Sequence, residues 1–347
     1  MNDWKIFKKD NKPHDGIENL PPAPSWRSFS STAGEKTEEE KRGATFQIRD
    51  EEVELVNAAL YLRRPLLVEG QPGTGKTSLA YAIAHQLKLG KVLRWNITTR
   101  STLTEGLYSY DAVGRLQSIR KQNQDSQSSD NSTDKPESNE LDSKTDKQES
   151  NQADDIGKYV RLGAVCTALY QSQDKKPRVL LIDEIDKSDI DLPNNLLHIF
   201  EEGQFDIPEL ARIKKQQPKV TVFTSENEEV DIEGGKIACS AFPFVILTSN
   251  GERDFPPPFL RRCIRLTMPE PDSGRIKKIV QAHFQEDKDI LVKAKPIIEK
   301  YQELQKKGQL ATDQLLNVIY LVTRKDFPEM DKDKFVEKLL QYLSNLV

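Results

Sequence analysis

The chain has 347 residues, and its 51 basic and 55 acidic side chains leave a net charge of only −4. This near balance argues against a strongly basic nucleic-acid-binding protein. No apolar run approaches the ~18 residues that a membrane span needs, and residues 1–10 lack the apolar stretch of a secretory signal. Cys166, Cys239 and Cys263 are too widely spaced for a disulfide framework or a metal knuckle. We therefore expect a cytoplasmic protein that has no membrane partner.

Residues 1–45 are predicted to form a flexible arm that is partly docked. Prolines between positions 21 and 24 disfavour regular structure. The arm also carries aromatic side chains, which are unusual in a purely disordered tail: Trp4, Phe7, Trp26 and Phe29. Two interpretations are open, a flexible leader or an arm that lays its aromatic side chains on its own core or on a neighbouring subunit.

Short apolar runs predict five buried strands, over residues 65–69, 92–97, 178–182, 244–247 and 263–266. Apolar positions at helical spacing predict helices over residues 50–62 and 76–89. Strands that alternate with helices favour an α/β fold, an αβα sandwich with a mainly parallel five-stranded sheet. From residue 271 to residue 347 only helical patterns occur, which predicts a small all-α lid domain of four helices; Thr312 can cap the third.

Two insertions are expected within the α/β region. Residues 121–155 carry only two apolar side chains, Leu141 and Ala153, and a polar heptapeptide at 133–139 nearly repeats at 145–151. Such a segment cannot bury enough surface to order itself, so we predict a low-complexity, disordered insertion over about residues 118–156. Residues 219–224 and 229–232 are separated by a polar turn, which predicts a hairpin within a second insertion of about residues 205–238.

The strongest motif lies between the first predicted strand and the helix that follows it. It fits the pattern G-x-x-x-x-G-K-[ST] in full, with the residues Gly70, Gln71, Pro72, Gly73, Thr74, Gly75, Lys76 and Thr77. Glycines let backbone N–H groups converge on phosphate oxygens, and the helix N-terminus adds its positive dipole end. Lys76 would place its charge at the terminal phosphates, and the Thr77 hydroxyl would ligate Mg²⁺. The motif predicts a P-loop NTPase-type fold that binds a nucleoside triphosphate.

A pair of carboxylates ends the third predicted strand. Asp183 and Glu184 follow the apolar residues 179–182, although acidic side chains are seldom buried without a partner. We interpret Asp183 as a metal ligand that acts through the water shell of Mg²⁺. Glu184 would then orient the attacking water or accept its proton.

Two further segments complete a resemblance to a family. Residues 244–249 end in the polar Asn250, and residues 254–263 place Arg261 and Arg262 just before the last strand. With the P-loop and the acid pair, these segments resemble the AAA+ ATPases, and residues 159–164 and 196–203 are similar to the MoxR-like branch. The resemblance makes residues 46–270 an AAA+ core. It implies that Asn250 helps to place the attacking water, and that Arg261 or Arg262 reaches the ATP of a neighbouring subunit.

The resemblance implies a homo-oligomer, a hexameric ring that hydrolyses ATP with Mg²⁺ and remodels a protein client in a chaperone-like manner. Nucleic acid is not an expected partner. Two alternatives stay open: a nucleotide-gated scaffold or switch with little turnover, and a nucleic-acid-directed motor, which Lys214, Lys215 and Lys219 would support. The sequence shows no clear sensor-2 motif in the helical region, where Arg324 is the nearest candidate.

Overall fold

The structure is a computed structural model, and it describes residues 38–128, 156–284, 287–305, 311–324 and 332–343, together with residues 6, 15–21, 23–24 and 327. The aromatic side chains predicted to anchor the arm, and residues 129–155 of the polar insertion, lie outside these ranges. The chain divides into two compact units. We call residues 1–54, 68–88 and 266–347 the P-loop unit, and residues 55–67 and 89–265 the sheet unit.

The strands are numbered in chain order. They are β1 (Leu66–Glu69), β2 (Leu93–Asn96), β3 (Tyr108–Tyr110), β4 (Val160–Leu162), β5 (Val179–Asp183), β6 (Gln204–Asp206), β7 (Lys219–Phe223), β8 (Glu229–Glu233), β9 (Lys236–Ala238), β10 (Phe244–Ser249) and β11 (Ile264–Thr267).

The helices are numbered in the same way. They are α1 (Glu38–Thr45), α2 (Asp50–Leu62), α3 (Lys76–Gln86), α4 (Leu103–Leu107), α5 (Ala112–Ser128), α6 (Ala164–Gln171), α7 (Leu192–Glu202), α8 (Pro208–Ile213), α9 (Pro257–Leu260), α10 (Ser273–His283), α11 (Lys288–Gln305), α12 (Thr312–Val322) and α13 (Lys332–Leu343).

The predicted five-stranded sheet is confirmed, with the strand order β11-β1-β10-β5-β2. β5 pairs in parallel with β10 on one side and with β2 on the other. Every residue of β5 and β10 is buried, as expected for strands that are covered by helices on both faces. Leu247 of β10 is registered with Ile182 of β5, so the carboxyl ends of these two strands lie side by side.

A second sheet has the order β3-β4-β7-β8 and stands on a separate apolar cluster. Its β7–β8 hairpin was predicted, and it pairs antiparallel with Val220 opposite Ile232. Strands β3 and β4, which precede and follow the polar insertion, were not predicted because three-residue strands carry almost no periodic signal. The first residues of that insertion also differ from the expectation, since α5 continues as a helix to Ser128.

The helical C-terminal region is confirmed as α10–α13, which share one apolar cluster around the buried Tyr301. Thr312 was predicted to cap α12. In the structure it is instead the first residue of that helix. Ala311 precedes it, and the Ala311 amide donates to Gln314 Oε1 at 3.0 Å. The Gln314 side chain thus accepts a hydrogen bond from an amide that has no acceptor within the helix.

Two features of the composition have structural counterparts. Cys166 and Cys263 are buried and Cys239 is half-buried, all three as free thiols, which matches the expectation from their spacing. Burial raises the pKa of the Cys166 thiol far above its ordinary value. Among the described helices, none is both long and apolar enough to cross a membrane.

Candidate functional site

The glycine-rich loop connects β1 to α3, and its path is set by backbone conformation. Gly73 and Gly75 have φ values of 78° and 96°, a region that side-chain-bearing residues seldom adopt. Gly75 is the N-cap of α3, so the helix begins at Lys76 and its N-terminal end lies at the loop. A loop of this kind at a helix N-terminus is an anion-binding arrangement.

Lys76 is folded back over the loop that precedes it. Its side chain is 7% exposed, and Nζ donates to the carbonyl oxygens of Gly70 at 2.7 Å and Gln71 at 2.9 Å. The Thr74 hydroxyl donates to the same Gln71 oxygen at 2.9 Å. A buried ammonium at a glycine cradle fits a triphosphate, because phosphate oxygens are stronger acceptors than the carbonyl groups that hold it here.

The loop is tightly enclosed by other residues of the P-loop unit. A Cβ atom built on Gly73 would lie 2.5 Å from Ala311 Cβ, at the start of α12. A Cβ atom on Gly75 would lie 3.1 Å from the Phe46 ring. The two glycines therefore allow the helical region and the segment before α2 to approach the loop closely.

Phe46 belongs to a charged cluster centred on Glu52, which is fully buried. Glu52 accepts hydrogen bonds from the Arg49 amide at 2.9 Å and from Arg49 Nε at 2.8 Å. Arg275 of α10 reaches the same carboxylate at 3.4 Å, donates to the Gln47 oxygen at 3.0 Å, and lies 5.6 Å from the centroid of the Phe46 ring. Burial lowers the pKa of the Arg275 guanidinium, an effect that the charge of Glu52 opposes.

In the sheet unit, Asp183 is the last residue of β5 and is 5% exposed. Its Oδ2 accepts a hydrogen bond from Arg94 of β2 at 2.6 Å, and its Oδ1 accepts one from the Thr248 hydroxyl of β10 at 2.6 Å. Thr248 Oγ1 also accepts the Glu184 amide at 2.9 Å. One hydroxyl thus fixes both acidic residues, and the arginine compensates the buried charge.

Glu184 follows in a left-handed backbone conformation, with φ 61° and ψ 48°. Such a conformation in a residue other than glycine costs about 1–3 kcal/mol and is often found at functional sites. Lys187 Nζ donates to Oε2 of Glu184 at 2.7 Å, and Asn250 Nδ2 lies 3.4 Å from Oε1. The hydrogen bond to Glu184 raises the pKa of the Lys187 ammonium. The predicted base and the predicted sensor are therefore adjacent.

A buried carboxylate, Asp186, joins the turn after β5 to the turn after β10. Its Oδ2 accepts the amides of Asn250 at 2.8 Å and Glu252 at 3.1 Å. Arg253 donates to the Ser188 oxygen at 2.6 Å across the same two turns. Asn250 is thus held by its main chain, and its side chain remains directed at Glu184.

The two candidate arginines differ in their surroundings. Arg262 forms an ion pair with Glu201 of α7, and both side chains are about half exposed. The main-chain oxygen of Arg261 accepts a hydrogen bond from Arg64, while its guanidinium has no partner among the residues that the structure describes. Neither arginine contacts Asp183 or Glu184 of its own chain.

The predicted residues fall into two groups. Residues 70–77 lie in the P-loop unit; Asp183, Glu184 and Asn250 lie together in the sheet unit. No role was predicted from the sequence for five residues that the structure places at these sites: Arg94, Lys187, Thr248, Phe46 and Arg275. Arg94 alone left a signal, because a charged residue within a short apolar strand often has a buried partner.

A family model matches the part of the chain that carries the P-loop and the acid pair. Residues 45–213 match the family model of the AAA ATPase domain, a range that includes the P-loop and the acid pair. No curated protein matches the chain. Among solved structures, the chain is similar to a replication initiator DnaA bound to AMPPCP and single-stranded DNA, with 15% identity, a TM-score of 0.39, and coverage of 86% of this chain and 70% of that one. A similarity this low carries no argument about function. The family match to an AAA ATPase domain is consistent with the P-loop NTPase-like α/β fold of the chain and supports a nucleotide-binding ATPase.

Proposed function

We propose that this chain is a Mg²⁺-dependent ATPase that assembles as a MoxR-like ring and remodels protein clients. The observation that carries the proposal is the buried Lys76 ammonium at a glycine loop directly before α3, inside the range that matches the AAA ATPase domain. Carbonyl groups of the loop hold the Lys76 ammonium at the N-terminal end of α3, where its charge can reach a bound phosphate. A polyphosphate ligand would account for this charge.

The assignment of roles follows the AAA+ resemblance. The main-chain N–H groups of residues 70–77 other than Pro72, together with the Lys76 ammonium, bind the triphosphate. Thr77 and Asp183 provide oxygen donors of the kind that Mg²⁺ prefers. Mg²⁺, when bound, neutralises charge on the transferring phosphate. Arg94 and Thr248 orient the Asp183 carboxylate through one hydrogen bond to each of its oxygens.

Glu184 is the proposed base, and Asn250 is the proposed positioning group for water. The 3.4 Å distance between Asn250 Nδ2 and Glu184 Oε1 supports a joint role, since both groups can contact one water molecule. An arginine from the adjacent subunit, Arg261 or Arg262, would stabilise the charge that develops in phosphoryl transfer. Separate alanine variants of these two arginines identify which one acts.

The test uses the purified full-length chain. ATP binding is measured by calorimetry with and without Mg²⁺, and hydrolysis by multiple-turnover phosphate release. Wild type should bind ATP, and Lys76→Met should not. Glu184→Gln should retain binding while kcat falls by about 10²–10⁴-fold.

Glu233→Gln is the matched control, because it removes an exposed carboxylate of β8 and should leave both measurements unchanged. Failure of the wild-type chain to bind adenine nucleotides would exclude the proposal. Wild-type turnover in Glu184→Gln would exclude the role of Glu184 alone. Native mass measurement in ATP tests the ring, and Glu184→Gln, which should hold clients in place, is the bait for identifying them.

A nucleotide-gated switch with little turnover is a second candidate. Its supporting observation is that both carboxylate oxygens of Glu184 already have partners, Lys187 and Asn250, within the chain. The same phosphate-release assay separates the two functions, since a switch binds ATP tightly and releases less than a few equivalents of phosphate.

A further inference from the structure

We propose that Arg275 is the positioning residue through which the helical region controls nucleotide affinity at the P-loop. The inference rests on the proposed function only in that the P-loop binds ATP. It concerns a contact that lies wholly within the P-loop unit. Arg275 does not touch the loop itself and acts through Phe46.

The first step is the way in which Arg275 is held. Its side chain is 12% exposed, and its NH2 group donates to the Gln47 oxygen at 3.0 Å. The same guanidinium reaches Glu52, which has no exposed surface, at 3.4 Å. Since a planar guanidinium has a fixed fork of donors, these two acceptors define its orientation.

The second step leads from Arg275 to the loop. The guanidinium lies 5.6 Å from the centroid of the Phe46 ring, a distance at which a cation is attracted to an aromatic face. The ring in turn lies against Gly75, where a Cβ atom would be only 3.1 Å from Cε2 of Phe46. Gly75 has φ 96° and is the N-cap of α3. A shift of the ring therefore changes the space around the backbone that presents N–H groups to phosphate.

Arg324, the other arginine of the described helical region, follows the end of α12 that is far from the loop. Ala311 contacts Gly73, so the N-terminal end of α12 is the end that lies at the loop. Arg324 follows the opposite end of this helix of 11 residues, which is about 16 Å away at 1.5 Å per residue. The end that lies at the loop, residues 311–314, contains no arginine. Arg275 is the arginine of the described helical region that is linked to the P-loop.

The experiment measures the Kd for ATP by calorimetry, and KM and kcat by phosphate release, in full-length Arg275→Met. We expect Kd and KM to rise by about tenfold, with kcat at saturation within about twofold of wild type. A merely structural role would lower the folded fraction, and hence apparent kcat, without a change in KM. Lys277→Met is the matched control, because it removes one positive charge from the exposed face of the same helix.

A double-mutant cycle with Phe46→Leu tests the route through the ring. If Arg275 acts through Phe46, the double variant should show nearly the same Kd as either single variant. Additive losses overturn the route, and an unchanged Kd in folded Arg275→Met overturns the inference. Should Arg275→Met not fold, Arg275→Lys decides: we expect a Kd between wild type and the tenfold loss, and a wild-type Kd overturns the inference. Failure of wild type to bind ATP is a different result, which removes the proposed function as well.

Discussion

The P-loop and the acid pair are built by different means. The loop depends on its main chain, with glycine φ values that residues with side chains seldom adopt and a lysine bonded to carbonyl groups. The acid pair depends on side chains, since Arg94 and the single hydroxyl of Thr248 fix Asp183 and the amide of Glu184. The loop should therefore be sensitive to backbone changes, and the acid pair to loss of individual polar groups.

The largest expected effect is at Gly73. Gly73→Ala places a methyl group against Ala311 and forces a side chain into a positive φ, so ATP affinity should fall by about 100-fold. Gln71→Ala keeps the backbone of the same loop and is the control, with affinity near wild type. Calorimetry with a non-hydrolysable ATP analogue measures both. Equal losses in the two variants would contradict a main-chain-defined loop.

A smaller effect is expected at Thr248. Thr248→Val keeps the shape but leaves the Glu184 amide and one Asp183 oxygen without their partner, which costs about 1–3 kcal/mol of stability. Misplacement of Glu184 should lower kcat about tenfold, while ATP affinity changes little. Thr248→Ser retains the hydroxyl and should retain most of the activity. Phosphate release and denaturant titration report the two quantities, and a Val variant with full kcat would show that the hydroxyl does not position the acid pair.

The smallest effect is confined to the P-loop unit. Burial, assisted by the charge of Arg42, lowers the pKa of His283 below its ordinary value of 6.5. The unfolded chain therefore takes up a proton near pH 6.5 and the folded chain only at lower pH, so stability falls as the pH drops below 6.5.

His283→Gln should reduce this loss of stability. Hydrogen exchange at pH 7 and pH 5.5 should show the difference between wild type and His283→Gln in α10 but not in β5. If the loss of stability between pH 7 and pH 5.5 is unchanged in His283→Gln, other titrating groups are its cause.

The difference between the P-loop and the acid pair also explains which features could be predicted from the sequence. Buried strands such as β5 and β10 are continuous apolar runs, and the P-loop is a local pattern, so both are visible in a single sequence. The partners of the acid pair are not, because Thr248 resembles any β-branched residue of a buried strand. Only tertiary packing brings together Phe46, Glu52 and Arg275. No spacing along the chain predicts such a cluster.

Hydrogen bonds join the turn after β10 to the turn after β5, and they have a mechanical consequence. Asp186 and Ser188 hold residues 250–253, and the segment with Arg261 and Arg262 follows a few residues later. In the proposed ring, a force applied to that segment by an adjacent copy would reach Asn250 and Glu184 through these hydrogen bonds. Assembly of that ring would therefore act on Asn250 and Glu184 of one protomer through the segment that is proposed to supply an arginine to the next.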